Sequence, residues 1–188
     1  MSDFYGGRIM TLLRFSLILF FVSFLGCSSI TVNAEWDETA DMSAYKTFSW
    51  VPEPPEKTGD ARFDNPILHD RIQKNILRTL SEQGYQGIDT GKPDFYVGHH
   101  LSLKTKVDVQ TMQTYYPYSW YYPYRSMPTQ VREYEQGMLI IDIIDAKTEK
   151  VVWRGWATKR LKENPSNEES QKTVKKIVGE ILAQFPPK

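Results

Sequence analysis

The side chains best suited to proton transfer or metal binding near neutral pH are three histidines, His69, His99 and His100. His99 and His100 are adjacent in DFYVGHHLSLKTKV, residues 94–107, where apolar and polar residues alternate. On a strand the two imidazoles point to opposite faces and cannot readily share one metal ion. His69 lies near the start of a predicted helix, and no histidine or carboxylate stands at a spacing that clearly converges on it. Asp64, Asp70, Asp94 and Asp142 supply carboxylates, yet no two are spaced so that they must meet. There is no Gly-rich phosphate loop, nucleophile elbow or zinc-ligand spacing. The sequence therefore predicts no catalytic residue, no metal and no cofactor.

Asp142 and Arg154 are the more specific pair. They flank the turn AKTE, in the segments REYEQGMLIIDIIDA (132–146) and KVVWRGWATKRL (150–161). A left-handed bulge at Glu149 would set Asp142 across from Arg154; without it Asp142 faces Trp153. With the bulge, Tyr96, His100, Asp142, Arg154 and Trp156 share one sheet face. That mixture of aromatic and charged groups suits a structural ion pair, a binding surface or a subunit contact.

Cys27 is the only cysteine, so no internal disulfide can form. It follows an apolar run from Phe15 to Leu25 with Arg14 ahead of it. That run spans about 16 Å as a helix, half of a bilayer core and the right length for an export signal. The residues before Met10 fit a signal poorly, which points to Met10 as the true start. Phe24-Leu25-Gly26-Cys27 resembles the bacterial lipoprotein processing site, with Phe where the pattern usually has Leu. The resemblance implies acylation of Cys27, and Ser28 after it implies the outer membrane. Several acyl chains hold a protein durably where one does not. The expected organisation is a signal over 1–26, a tether and linker over 27–40, and one domain over 41–188. With 23 basic and 23 acidic residues the chain lacks the charge excess of a nucleic-acid binder, and none is expected as a partner.

The positioning elements follow from periodicity. YKTFSWV (45–51) reads as a strand, and PEPPEKTGDARFDNP (52–66) as a surface loop. Asn65 caps a helix with Pro66 first, carrying the stripe Leu68, Ile72, Ile76, Leu80 and ending at Gly84-Tyr85. Its basic residues Arg71, Lys74 and Arg78 share a side that suits either solvent or anionic headgroups. Three strands follow, and a second helix opens at the Ser166–Glu169 capping box and stops at Pro186-Pro187. The order β-α-β-β-β-α predicts an α+β fold: a mostly antiparallel four-stranded sheet with both helices on one face.

YKTFSWVP, the Gly84-Tyr85 helix end, PDFYVGHH, GMLIIDIIDAKTEKVVWRGWA and the terminal FPP together resemble the bacterial lipoproteins catalogued as domain of unknown function 4136. Glu149 stands where that family usually has Gly. The resemblance implies an envelope lipoprotein with an α+β fold and carries over no catalytic residue.

The remaining motif is YYPYSWYYPY, inside the predicted hairpin loop 108–131. Its prolines cannot donate to a ladder, so it is a hairpin tip and not a central strand. Tyr115, Tyr116, Tyr118, Trp120, Tyr121, Tyr122 and Tyr124 have apolar bodies and polar ends, suited to burial at an interface. They either fold back over the domain's own bare sheet face or contact an envelope protein, a glycan or lipid headgroups. Two functions follow: a non-catalytic interaction or assembly module on the outer membrane, or a periplasmic small-molecule binder or hydrolase using His100, Asp142 and Arg154. No oligomeric state follows from the sequence.

Overall fold

The structure, a computed structural model, describes residues 30–111 and 129–187. Six strands and two helices appear in the order β1 (Ile30–Trp36), β2 (Thr47–Trp50), α1 (Pro66–Glu82), β3 (Gln86–Gly87), β4 (Phe95–Thr111), β5 (Thr129–Asp145), β6 (Val151–Arg160) and α2 (Asn167–Leu182). They form one sheet in the order β1-β6-β5-β4-β2-β3. The α+β class agrees with expectation, but the sheet is six-stranded and mixed, not four-stranded and antiparallel.

Two causes explain the difference. β2 reaches β4 through α1, and a strand–helix–strand connection returns the chain parallel, so Phe48 pairs with Phe95 in parallel register. The two-residue β3 adds a second parallel contact to β2. The sixth strand comes from the stretch expected to be a tether. In residues 30–36, Ile30, Val32, Ala34 and Trp36 alternate with Thr31, Asn33 and Glu35, and the segment pairs antiparallel with β6 from Ile30↔Lys159 to Trp36↔Trp153. Ile30, Val32 and Ala34 pack against the core, so alternation there buries apolar area and the segment is sheet.

The helices are held by their ends. Asn65 Oδ1 accepts from Ile67 N at 2.9 Å, and Pro66 occupies the first helical position. Gly84 takes φ 97°, while Tyr85 N donates to Leu80 O and Gly84 N to Ser81 O, both at 3.0 Å. That pair of bonds satisfies the last carbonyls of α1 and needs the left-handed residue between them. In α2, Ser166 and Glu169 exchange side-chain to backbone bonds at 3.1 and 3.2 Å. The helices run parallel: Arg71 bonds Asn167 and Ser170, and Gln83 Nε2 donates to Leu182 O. Ile72, Ile76 and Leu80 of α1 and Val178, Ile181 and Leu182 of α2 join one core with Phe48, Phe95, Val97, Ile141, Ile143 and Trp153. Both helices thus cover the same sheet face, and the alternate residues of each strand form the opposite, outer face. Among the described residues no helix is long and apolar enough to cross a membrane.

β4 and β5 outrun their neighbours. β2 stops against Val97, and Leu161 N makes the last bond to β5, at Glu135. From Lys106↔Tyr134 to Thr111↔Thr129 the two strands pair only with each other among the described residues, an arm of roughly 20 Å at 3.3 Å per residue. The Arg160 guanidinium lies 4.4 Å from the centroid of the Tyr134 ring and braces the base of this arm.

Candidate functional site

The charged cluster is set by the hairpin between β5 and β6. Glu149 does adopt a left-handed φ of 58°. The residue that sets the register lies further in, however. Ile144 pairs with Val151 and Ile143 with Trp153, which leaves Val152 as an extra residue in β6. The consequence is the register Gly98↔Asp142↔Arg154 across three strands.

Asp142 is on the outer face yet only 2 % exposed. Arg154 grips it with two bonds, Nε to Oδ1 at 2.6 Å and Nη2 to Oδ2 at 2.8 Å. His100 Nε2 stands 3.5 Å from Oδ2. Gly98 leaves the space in which Val51 and the His100 ring converge above the strand. Asp142, with Glu35 opposite Arg154 on β1, holds the Arg154 guanidinium above its ordinary pKa. The side chains of Arg154 and His100 remain 49 % and 42 % exposed, so the cluster turns donors outward over a buried carboxylate. With both oxygens committed to a guanidinium, Asp142 is a poor general base and a good anchor for Arg154. Tyr96 and Trp156 lie on the same face, opposite Ile144 and Ile140 respectively. The cleft at the edge of this region, lined by Val51, Pro54, Gln73, His99 and His100, holds about 250 Å³. Small-molecule pockets usually run to roughly 300–1,000 Å³.

Two of the other candidate carboxylates, Asp94 and Asp64, fasten backbone. Asp94 Oδ2 accepts from Lys46 N, Thr47 N and Thr47 Oγ1, and Asp64 accepts from the Thr58 and Gly59 amides. These amides and hydroxyls hold both carboxyls below the usual range. Among the described residues no three metal-ligating side chains converge.

His69 is the residue whose partner sequence reasoning missed. Its Nδ1 lies 2.9 Å from His99 Nε2, because the first turn of α1 packs on the inner face of β4. His99 is 3 % exposed; burial, then the neighbouring His69 and His100, lowers its pKa from 6.5 to about 4. Between those values the unfolded chain binds a proton that the folded chain refuses. Stability is therefore complete above pH 6.5 and falls as pH drops toward 4, by on the order of 3 kcal/mol for this group. Urea midpoints measured from pH 7 to 4.5 should show that decline, and His99→Leu should flatten it. An unchanged slope in the variant would place the acid sensitivity elsewhere.

The family model described as domain of unknown function 4136 matches residues 32–187. The chain belongs to this family. The domain of unknown function 4136 match opens within β1, so the family's domain includes the edge strand, and it spans Tyr96, His100, Asp142, Arg154 and Trp156. No curated protein matches the chain. Among solved structures, a PDZ domain protein from Parabacteroides distasonis is similar at TM-score 0.51 and 16 % identity, over 85 % of this chain and 37 % of that one. The chain thus spans little more than a third of that protein, and the likeness is one of fold. A neuraminyllactose-binding hemagglutinin homolog from Helicobacter pylori aligns at TM-score 0.42 and 12 % identity over 76 % of this chain and 81 % of that one. A minor lipoprotein from Acinetobacter baumannii aligns at 0.33 and 11 % over 75 % and 92 %. Cys27, Tyr115, Tyr116, Tyr118, Trp120, Tyr121, Tyr122 and Tyr124 lie outside the described residues.

Proposed function

We propose that this member of the domain of unknown function 4136 family is an outer-membrane lipoprotein, held by acyl groups on Cys27 and facing the periplasm. Its domain serves as a non-catalytic interaction or assembly module of the cell envelope. The observation that carries the reading is the β4–β5 arm. It leaves the sheet at the end where β1 begins, since Ile30 and Gly137 both pair with Lys159. The chain that runs back to Cys27 and the arm that leads to the Tyr/Pro segment therefore depart on the same side. The closed Asp142–Arg154 pair supports the non-catalytic half, because both carboxylate oxygens are already held by the guanidinium and the group is buried.

Fractionation of cells carrying three versions of the chain tests both halves. The wild type should label with palmitate and sediment with outer membranes. Cys27→Ala should lose the label and remain an unprocessed precursor. A chain with residues 115–124 replaced by a short Gly/Ser turn should keep its melting transition and its anchor but lose co-purifying envelope components. Palmitate on the Cys27→Ala chain would sink the anchor, and a collapsed melting transition in the loop variant would mean that the rings cover their own domain.

A further inference from the structure

The outward faces of α1 and α2 leave a groove of about 470 Å³, lined by Asp70, Arg71 and Lys74 on one side and Lys172 and Lys175 on the other. Four cations there meet one lining carboxylate, in a chain whose overall charge balances. Lys172 is paired with Glu168 at 2.6 Å. The Arg71 head is fixed by neutral acceptors, Ser170 Oγ and Asn167 Oδ1, both at 2.7 Å. Among the described residues no carboxylate lies within ion-pair distance of Arg71, Lys74 or Lys175. Ile67, two-thirds exposed, adds an apolar side chain to the same lining. Cations with an exposed apolar neighbour suit a surface that offers phosphate above hydrocarbon.

The position of the groove narrows the partner. Ile30 pairs with Lys159, and Lys159 Nζ donates to Thr173 Oγ1 at 3.1 Å. Thr173 stands in α2 between Lys172 and Lys175, so this wall of the groove sits over the sheet end where the described chain begins. Because the helices run parallel, Arg71 and Lys74 are at that end too. Only Ser28 and Ser29 separate Ile30 from Cys27, a reach of about 10 Å at full extension. A lipid on Cys27 therefore keeps the groove beside the bilayer surface.

We propose that the groove between α1 and α2 docks the anionic phosphate headgroups of the bilayer to which the chain is anchored, an inference that rests on the lipoprotein reading above. The contact orients the domain against the membrane instead of leaving it to swing on its anchor. A second copy of this chain is a poor occupant, because apposing two such grooves would bring like charges together.

Amine-acetylation footprinting of the purified full processed chain tests this, with the mass of its N-terminal peptide reporting acylation independently. The protein is placed in nanodiscs of phosphatidylcholine alone or with one-third phosphatidylglycerol; if no acyl mass is found, it is added to vesicles of the same two compositions. Lys74, Lys172 and Lys175 should label severalfold more slowly on the anionic surface, and 1 M salt, with a screening length of about 3 Å, should restore the rate. Lys147 and Lys150, at the opposite end of the sheet, should label equally on both. Lys74→Glu combined with Lys175→Glu should abolish protection of Lys172 while leaving the melting transition in place, since both side chains are exposed. Equal labelling on the two surfaces overturns the docking proposal even when the acyl group is present. Protection by millimolar inorganic phosphate on the neutral surface also overturns it, by assigning the groove to a free anion.

Discussion

Arg154→Ala is expected to cost about 3–5 kcal/mol of folding free energy, because it strands a carboxylate that the fold has taken out of water. Asp142 is almost fully buried, while half of the Arg154 side chain still meets solvent. The pair is therefore asymmetric. Asp142→Ala releases a guanidinium that water can still solvate, and should cost roughly 1–3 kcal/mol. The double variant should be no less stable than Arg154→Ala, since removing the buried charge also removes its penalty. Urea denaturation of the three variants measures the coupling directly. Equal and additive losses would show that the two residues do not act as a pair.

The second large effect lies on the other face of the same strand. Trp153 is fully buried, and its ring meets Phe185 edge-on at a centroid distance of 5.3 Å. The indole also lies over Gly155: a Cβ added there would stand 2.3 Å from Trp153 Cη2 and 2.6 Å from Ile181 Cγ2. The glycine is the room that the tryptophan occupies. Trp153→Ala should destabilise by about 3–5 kcal/mol through the cavity it leaves. Gly155→Ala should cost roughly 1–3 kcal/mol through overpacking, and much less once Trp153 is already Ala. Thermal melts of the two single variants and the double variant would show this; an undiminished cost for Gly155→Ala in the double would mean that the clash is with Ile181 or the backbone.

Much of this architecture was legible, and the misses have physical reasons. Asn65-Pro66, Gly84-Tyr85 and Ser166–Glu169 are local signals, and local bonds satisfy them in the structure. The alternation in residues 94–107 separated His99 from His100 because a strand offers only two faces. β1 carries the same alternation in residues 30–36, but its partner lies more than a hundred residues away, and nothing near it in sequence marks the pairing. The parallel β2–β4 pair was missed for a related reason: direction depends on the intervening helix, not on either strand's composition. For Asp142 and Arg154 the expected opposition is present, although the shift comes at Val152 and not at Glu149. An extra residue inside a regular strand leaves no mark in residue type. His69–His99 was invisible because it joins a helix to a strand, and the rotation of that helix is fixed only by packing.

The edge position of β1 bears on mechanical load. On the proposed anchoring, any tension between membrane and domain enters at Ile30. The chain's last described residues, just past α2, lie at the far end of the sheet, where Phe185 meets Trp153. A force between these ends runs along β1, parallel to β6. All seven register pairs from Ile30↔Lys159 to Trp36↔Trp153 are then strained together in shear, whereas a pull across the strands would peel them one at a time. If the chain is anchored as proposed, β1 is thus a grip that resists extraction, and it loads the sheet rather than a slack leash.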